Sequence, residues 1–109
     1  PLRPAAEGML AEGGYAWNGG IFLLKASSYL DALARYAPAV LDCAKAAIDR
    51  ASQEGGRVLP DAAAFENSPA ESIDYAVMER AERVAVVPVD LGWSDVGSSD
   101  ALYDLGPRD

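Results

Sequence analysis

Between positions 26 and 51 apolar residues return every three or four positions, the period of helices that bury one face. Leu30, Leu33 and Ala37 mark a first helix running to about Tyr36, with Ser27 or Ser28 as its cap. Pro38 suits the first position of a second helix. Its stripe is Val40, Leu41, Ala44, Ala47, Ile48 and Ala51, with Cys43 at the edge as an inert small core residue. A third helix is announced by Ser68-Pro69-Ala70-Glu71. Serine caps, proline occupies the first turn, and the glutamate three residues on bonds back to the cap amide. This helix should reach about Arg83, with Ile73, Ala76, Val77 and Ala81 facing inward.

Elsewhere the pattern changes. Residues 15–24 (YAWNGGIFLL) read as a strand interrupted by Asn18-Gly19-Gly20. Glycines inside a strand pattern mark a bulge or a close approach to the backbone. Residues 84–89 (VAVVPV) are nearly all apolar, as in a strand buried on both faces, and Pro88 puts its far end at a sheet edge or exit. Residues 9–12 end a short helix closed by Gly13-Gly14, residues 53–57 form a loop around Gly55-Gly56, and residues 61–65 form a helical turn. A glycine-flanked loop over 90–99 leads to a last helix over 100–105, capped by Ser98 or Ser99. Two strands flanking a helical stretch predict an α/β fold. Internal repeats and low-complexity tracts are absent.

Composition narrows the chemistry. The 109 residues suit one domain or part of a larger one. The net charge of −8 repels nucleic acid backbones and anionic membranes, so neither is an expected partner. No apolar run reaches transmembrane length. One cysteine and no histidine exclude an internal disulfide and Ser-His chemistry, and point to a reducing cytoplasm. Any metal would be a hard cation on carboxylates. The chain opens on Pro1 rather than Met, as expected for a piece cut from a longer chain.

Three segments can carry chemistry, and each has a plain structural reading beside the functional one. In Gly92-Trp93-Ser94-Asp95-Val96-Gly97, Asp95 is either a magnesium ligand in a loop open to phosphate or part of a polar turn with Trp93 in the core. In Trp17-Asn18-Gly19-Gly20, the Asn18 amide offers a donor and an acceptor to a sugar hydroxyl, or the pair Asn18-Gly19 is simply a turn signal. Glu71 and Asp74, three apart on one first turn, share a face that grips hydroxyls or a cation. Alternatively they serve the capping box and the helix dipole.

Taken together, these segments resemble one family. Trp17-Asn18-Gly19-Gly20-Ile21-Phe22 resembles the Trp-Asn-Ser-Gly-Ile/Met-Phe segment of mannose-1-phosphate guanylyltransferases. Residues 71–79 (ESIDYAVME) are similar to a nine-residue stretch typical of them, and residues 92–98 (GWSDVGS) to their Gly-Trp-Ser/Asn-Asp-Val-Gly-Ser loop. Order and spacing agree over nearly the whole chain.

The resemblance implies a Rossmann-like nucleotide-diphospho-sugar transferase fold. Residues 1–109 would be the C-terminal, sugar-binding part of the catalytic domain, with the nucleotide-binding part absent. The parent enzyme would transfer GMP from GTP to mannose 1-phosphate, giving GDP-mannose and pyrophosphate, while this piece alone would be inactive. Such chemistry needs positioning and charge neutralisation more than a protein nucleophile, so no catalytic residue is assigned. Asp95 matches the family's metal-binding aspartate, which implies Mg2+. Asn18 and Gly20 fall in the segment lining the sugar pocket, and Glu71 and Asp74 in the segment beside it. Gly19 replaces the usual Ser, and Ser99 stands where a Trp is usual. Pro1 falls on the Pro of the Glu-Lys-Pro sugar-phosphate motif. Two alternatives remain: a nucleotidyltransferase for another sugar 1-phosphate or base, and a non-catalytic regulatory or scaffolding paralogue. A homo-oligomer is left open.

Overall fold

A computed structural model of the chain describes residues 1–107. In order they form helices α1 (Arg3–Glu12), α2 (Ala26–Tyr36) and α3 (Pro38–Asp49), strands β1 (Ser52–Glu54) and β2 (Arg57–Leu59), helix α4 (Ala62–Glu66), a π-helical turn (Asp74–Met78) and helix α5 (Ser99–Leu105). They fall into two compact units: Leu23–Ala85, and Pro1–Phe22 with the chain from Val86 onward.

The unit Leu23–Ala85 holds the core. Leu33, Ala37 and Leu41 from α2, its end and α3 pack with Ala76 and Val77 of the π-helical turn, flanked by Tyr29, Ala32, Val40, Ile73 and Met78. Ala37 lies between α2 and α3 at φ −143° and ψ 57°. A following proline disfavours the helical region at this position, so α2 must end and α3 can start at Pro38. The expected serine cap of α2 is corrected. Lys25 is the extended cap residue, with no side-chain cap bond, and Ser27 and Ser28 lie inside the first turn. The stripe of α3 is narrower than its spacing suggests. Leu41 and Ala47 are buried, but Ala44 and Ile48 are exposed.

Residues 52–59 are a hairpin rather than a loop. Ser52 pairs with Leu59 and Glu54 with Arg57 in an antiparallel ladder. Gly55 and Gly56 have φ of 55° and 79°. Positive φ at both turn positions matches the twist of a tight hairpin, and glycine adopts it without steric cost. The Asp61 amide donates to the Ala47 carbonyl at 2.9 Å, tying the end of the hairpin to α3. Asp61 then caps α4, its Oδ2 accepting from the Ala64 amide at 2.9 Å, as the helical turn over 61–65 predicts.

The long helix expected over 68–83 does not form. Ser68 caps nothing; its hydroxyl lies 3.4 Å from the Pro69 carbonyl. The helical residues reduce to the π-helical turn, in which the Glu79 amide donates to the Asp74 carbonyl at 2.9 Å. The burial of Ala76 and Val77 against α2 and α3 outweighs the local cap signal, since propensity yields to tertiary packing.

In the other unit, Gly13 and Gly14 end α1 at φ of 82° and 79°, as expected. Ser98 caps α5, its Oγ accepting from the Ala101 amide at 3.2 Å. The expected strands over 15–24 and 84–89 are corrected. Among the described residues neither belongs to a ladder, and β1–β2 is the one sheet. Far from being buried on both faces, Val86 and Val87 are 74% and 77% exposed. A strand is made by its partner's hydrogen bonds, and side-chain pattern alone does not supply them. No helix among the described residues is long and apolar enough to cross a membrane.

Candidate functional site

The Asn18 segment forms a side-chain-closed turn. Asn18 Oδ1 accepts from the Gly20 amide at 2.9 Å, a local bond typical of Asn two residues before a bend. Gly20 has φ of 66°, so this position favours glycine. The turn reading of Asn18-Gly19 therefore holds, without removing the amide from a site. Trp17, Asn18 and Tyr15 line a cavity of about 320 Å³ with Met9 and Leu10 of α1. Trp17 and Leu10 also line a second cavity, of about 390 Å³, with Arg3 and Glu7. Both are bounded by α1, because Gly13-Gly14 turns the chain back along that helix.

These walls combine aromatic faces, one carboxamide, one guanidinium and the Glu7 carboxylate paired with it. Aromatic faces suit the apolar side of a sugar ring, and a guanidinium suits a phosphate. Arg3 and Tyr15 were not singled out by sequence pattern. Arg3 lies in α1 and pairs with Glu7 at 2.7 Å. An (i, i+4) pair on a helix is ordinary surface chemistry, so nothing local distinguishes it.

Asp95 lies in the loop between Gly92 and Gly97. Gly92 has φ of 62°, and its amide donates to Asp90 Oδ1 at 3.4 Å. Asp95 is exposed and makes no hydrogen bond or ion pair with the described residues. Trp93 is 56% exposed, so it is not tucked into a core as the plain turn reading expects. Among the described residues no three Asp, Glu or Cys side chains gather where they could hold a metal. Asp95 is thus a single hard oxygen donor on an open loop.

Glu71 and Asp74 belong to the other unit. They do not share the first turn of one helix: Glu71 precedes the helical residues, and Asp74 opens the π-helical turn. Glu71 lies 3.7 Å from the Arg80 guanidinium rather than on a cap amide. Asp74 is half-buried. Asn18, Gly20 and Asp95 therefore fall in one unit, and Glu71 and Asp74 in the other.

Comparison with known proteins gives this arrangement its relatives. The nucleotidyl transferase family model matches residues 1–109. Over 109 residues the chain is 44% identical to the xanthan biosynthesis protein XanB of Xanthomonas campestris pv. campestris (strain B100). It is 43% identical to the alginate biosynthesis protein AlgA of Pseudomonas aeruginosa, and 41% to the mannose-1-phosphate guanylyltransferase of Klebsiella pneumoniae. Each match takes in 100% of this chain and 23% of the relative, so the chain spans about a quarter of the length of these curated relatives. No solved structure matches it. Matched by the family model from end to end, the chain belongs to the nucleotidyl transferase family, whose fold is the Rossmann-like α/β type.

Proposed function

We propose that this chain is the sugar-binding part of an enzyme that transfers GMP from GTP to mannose 1-phosphate, giving GDP-mannose and pyrophosphate. One observation carries the reading: identity of 41% to a mannose-1-phosphate guanylyltransferase over all 109 residues. The sugar phosphate oxygen attacks the α-phosphorus of the nucleotide, and the bond to the pyrophosphate oxygen breaks as the new one forms. The protein's part is to hold the two anions in line and offset their charge.

Trp17 and Tyr15 offer faces for the sugar ring, Asn18 a polar partner for its hydroxyls, and the Gly20 turn lets the backbone come close. In the other unit, Glu71 and Asp74 each carry a carboxylate able to accept from substrate hydroxyls. Asp95 fits a magnesium ion bound mainly through substrate phosphates, because such ions take one or two carboxylates and keep water or phosphate elsewhere. Magnesium, when bound, would neutralise phosphate charge that this acidic chain otherwise repels. A cytoplasmic setting fits nucleotide-sugar chemistry and a lone, half-buried Cys43. Exposed Ile21, Leu23, Val86 and Val87 support self-association as well.

The test is pyrophosphate release by the intact protein that carries this chain, with magnesium, GTP and mannose 1-phosphate. Turnover with that pair, and little with ATP, UTP or glucose 1-phosphate, is expected. Preference for another base or sugar would replace the substrate assignment, and no turnover with any pair would favour a non-catalytic role. The 109 residues alone should be inactive, since no phosphate-cradling glycine loop is among them.

A further inference from the structure

Glu71 and Arg80 are nine residues apart. On one straight α-helix they would sit about 13 Å apart along the axis and on opposite faces. Instead Arg80 Nη2 lies 3.7 Å from Glu71 Oε1. Two features bring them together: Glu71 lies outside the helical residues, and the turn that follows is π rather than α. Such π turns re-aim the residues beyond them and recur at functional sites.

Arg80 is itself held. Its Nη1 donates to the Tyr36 carbonyl at 2.8 Å, at the C-terminus of α2. That carbonyl carries the negative end of the helix dipole and lacks an intrahelical partner, so a cation there is favourable. Beside it Arg35 donates to Glu82 at 3.0 Å, and its guanidinium lies 5.1 Å from the centre of the Tyr36 ring. Two arginine links therefore join the end of α2 to residues 80–82. An isolated surface ion pair gains little, because two long side chains must be ordered to make it. The Tyr36 bond already orders Arg80, so its other nitrogen faces the Glu71 carboxylate as an ion pair at little further ordering cost.

We propose that Arg80 is a positioning residue: anchored on the Tyr36 carbonyl, it aims the Glu71 carboxylate at the sugar phosphate substrate. The role rests on the proposed function, in which Glu71 binds that substrate. Arg80 itself touches no reacting atom.

The test uses the intact protein and steady-state kinetics for Glu71→Gln, Arg80→Met, Arg80→Lys and the double variant Glu71→Gln/Arg80→Met. Glu71→Gln should raise KM for the sugar phosphate about tenfold or more, as for loss of a charged hydrogen bond. Arg80→Met should raise the same KM about two- to fivefold, with KM for the nucleotide unchanged. Arg80→Lys, which keeps the charge but not the fork, should fall between. The double variant should resemble Glu71→Gln alone, because Arg80 acts only through Glu71. A purely structural role at the end of α2 predicts something else: Arg80→Met lowers the unfolding midpoint and leaves KM for the sugar phosphate alone. That result overturns the proposal while leaving Glu71 in the site. If Glu71→Gln itself leaves KM unchanged, Glu71 leaves the site and the role of Arg80 goes with it.

Discussion

The Asn18 side-chain oxygen accepts the Gly20 amide at 2.9 Å, and that one bond closes the turn at the edge of the cavity lined by Trp17 and Tyr15. It separates two roles of one side chain. Asn18→Asp keeps an acceptor for the Gly20 amide and exchanges the NH2 for negative charge. The intact protein should then fold normally, while KM for an anionic sugar phosphate rises about tenfold or more through lost hydrogen bonding and like-charge repulsion. Asn18→Ala should raise KM similarly and also loosen the turn, lowering stability by about 0.5–1.5 kcal/mol. Equal KM values for wild type and Asn18→Asp would restrict Asn18 to the turn.

Neighbouring glycines should answer differently to the same substitution. A Cβ on Gly19 meets open space at an ordinary φ, whereas Gly20 has φ of 66°. Gly19→Ser should change stability by no more than about 0.5 kcal/mol. Gly20→Ser should cost about 1–2 kcal/mol, because a side chain in the left-handed region crowds the following carbonyl. Chemical denaturation of the two variants decides it, and equal costs would mean that this turn does not hold its backbone.

Asp95 is exposed and makes no bond to the described residues, so removing its charge should leave folding intact. Asn suits an open turn equally well. In the intact protein Asp95→Asn should nevertheless lower turnover by about a hundredfold or more, comparable to losing one contact that stabilises transition-state charge. It should also shift the magnesium dependence to higher concentration. Normal turnover with normal magnesium dependence would leave Asp95 as a turn residue only.

Ala44 and Ala47 occupy the same stripe in the sequence, but only Ala47 is buried, at 1% exposure. Ala47→Leu should overpack the buried side of α3 and cost about 1–3 kcal/mol. Ala44→Leu should stay within about 0.5 kcal/mol. Thermal unfolding of both variants in the intact protein checks the contrast, and similar midpoints would show that α3 does not bury Ala47 in preference to Ala44.

What the sequence by itself determined were the features settled within a few residues. Pro38 starts α3, Gly13-Gly14 ends α1, Asp61 lies at the head of α4, and Ser98 caps α5, because each acts on backbone groups no more than one turn away. The hairpin over 52–59 was not legible: Gly55-Gly56 signal a turn, but three-residue strands carry too short a pattern to separate a hairpin from a loop. The family motifs were legible because residue identity carries them whatever the backbone does. Only the tertiary structure decided the rest. Whether residues 15–24 and 84–89 form strands depends on partners that supply ladder hydrogen bonds, which no side-chain pattern contains. Whether Ser68 starts a helix depended on where Ala76 and Val77 could be buried, and the core answered with a π-helical turn. That choice turned Glu71 from a cap partner into the partner of Arg80, nine residues on, because the direction of a side chain is fixed by the path of the whole segment.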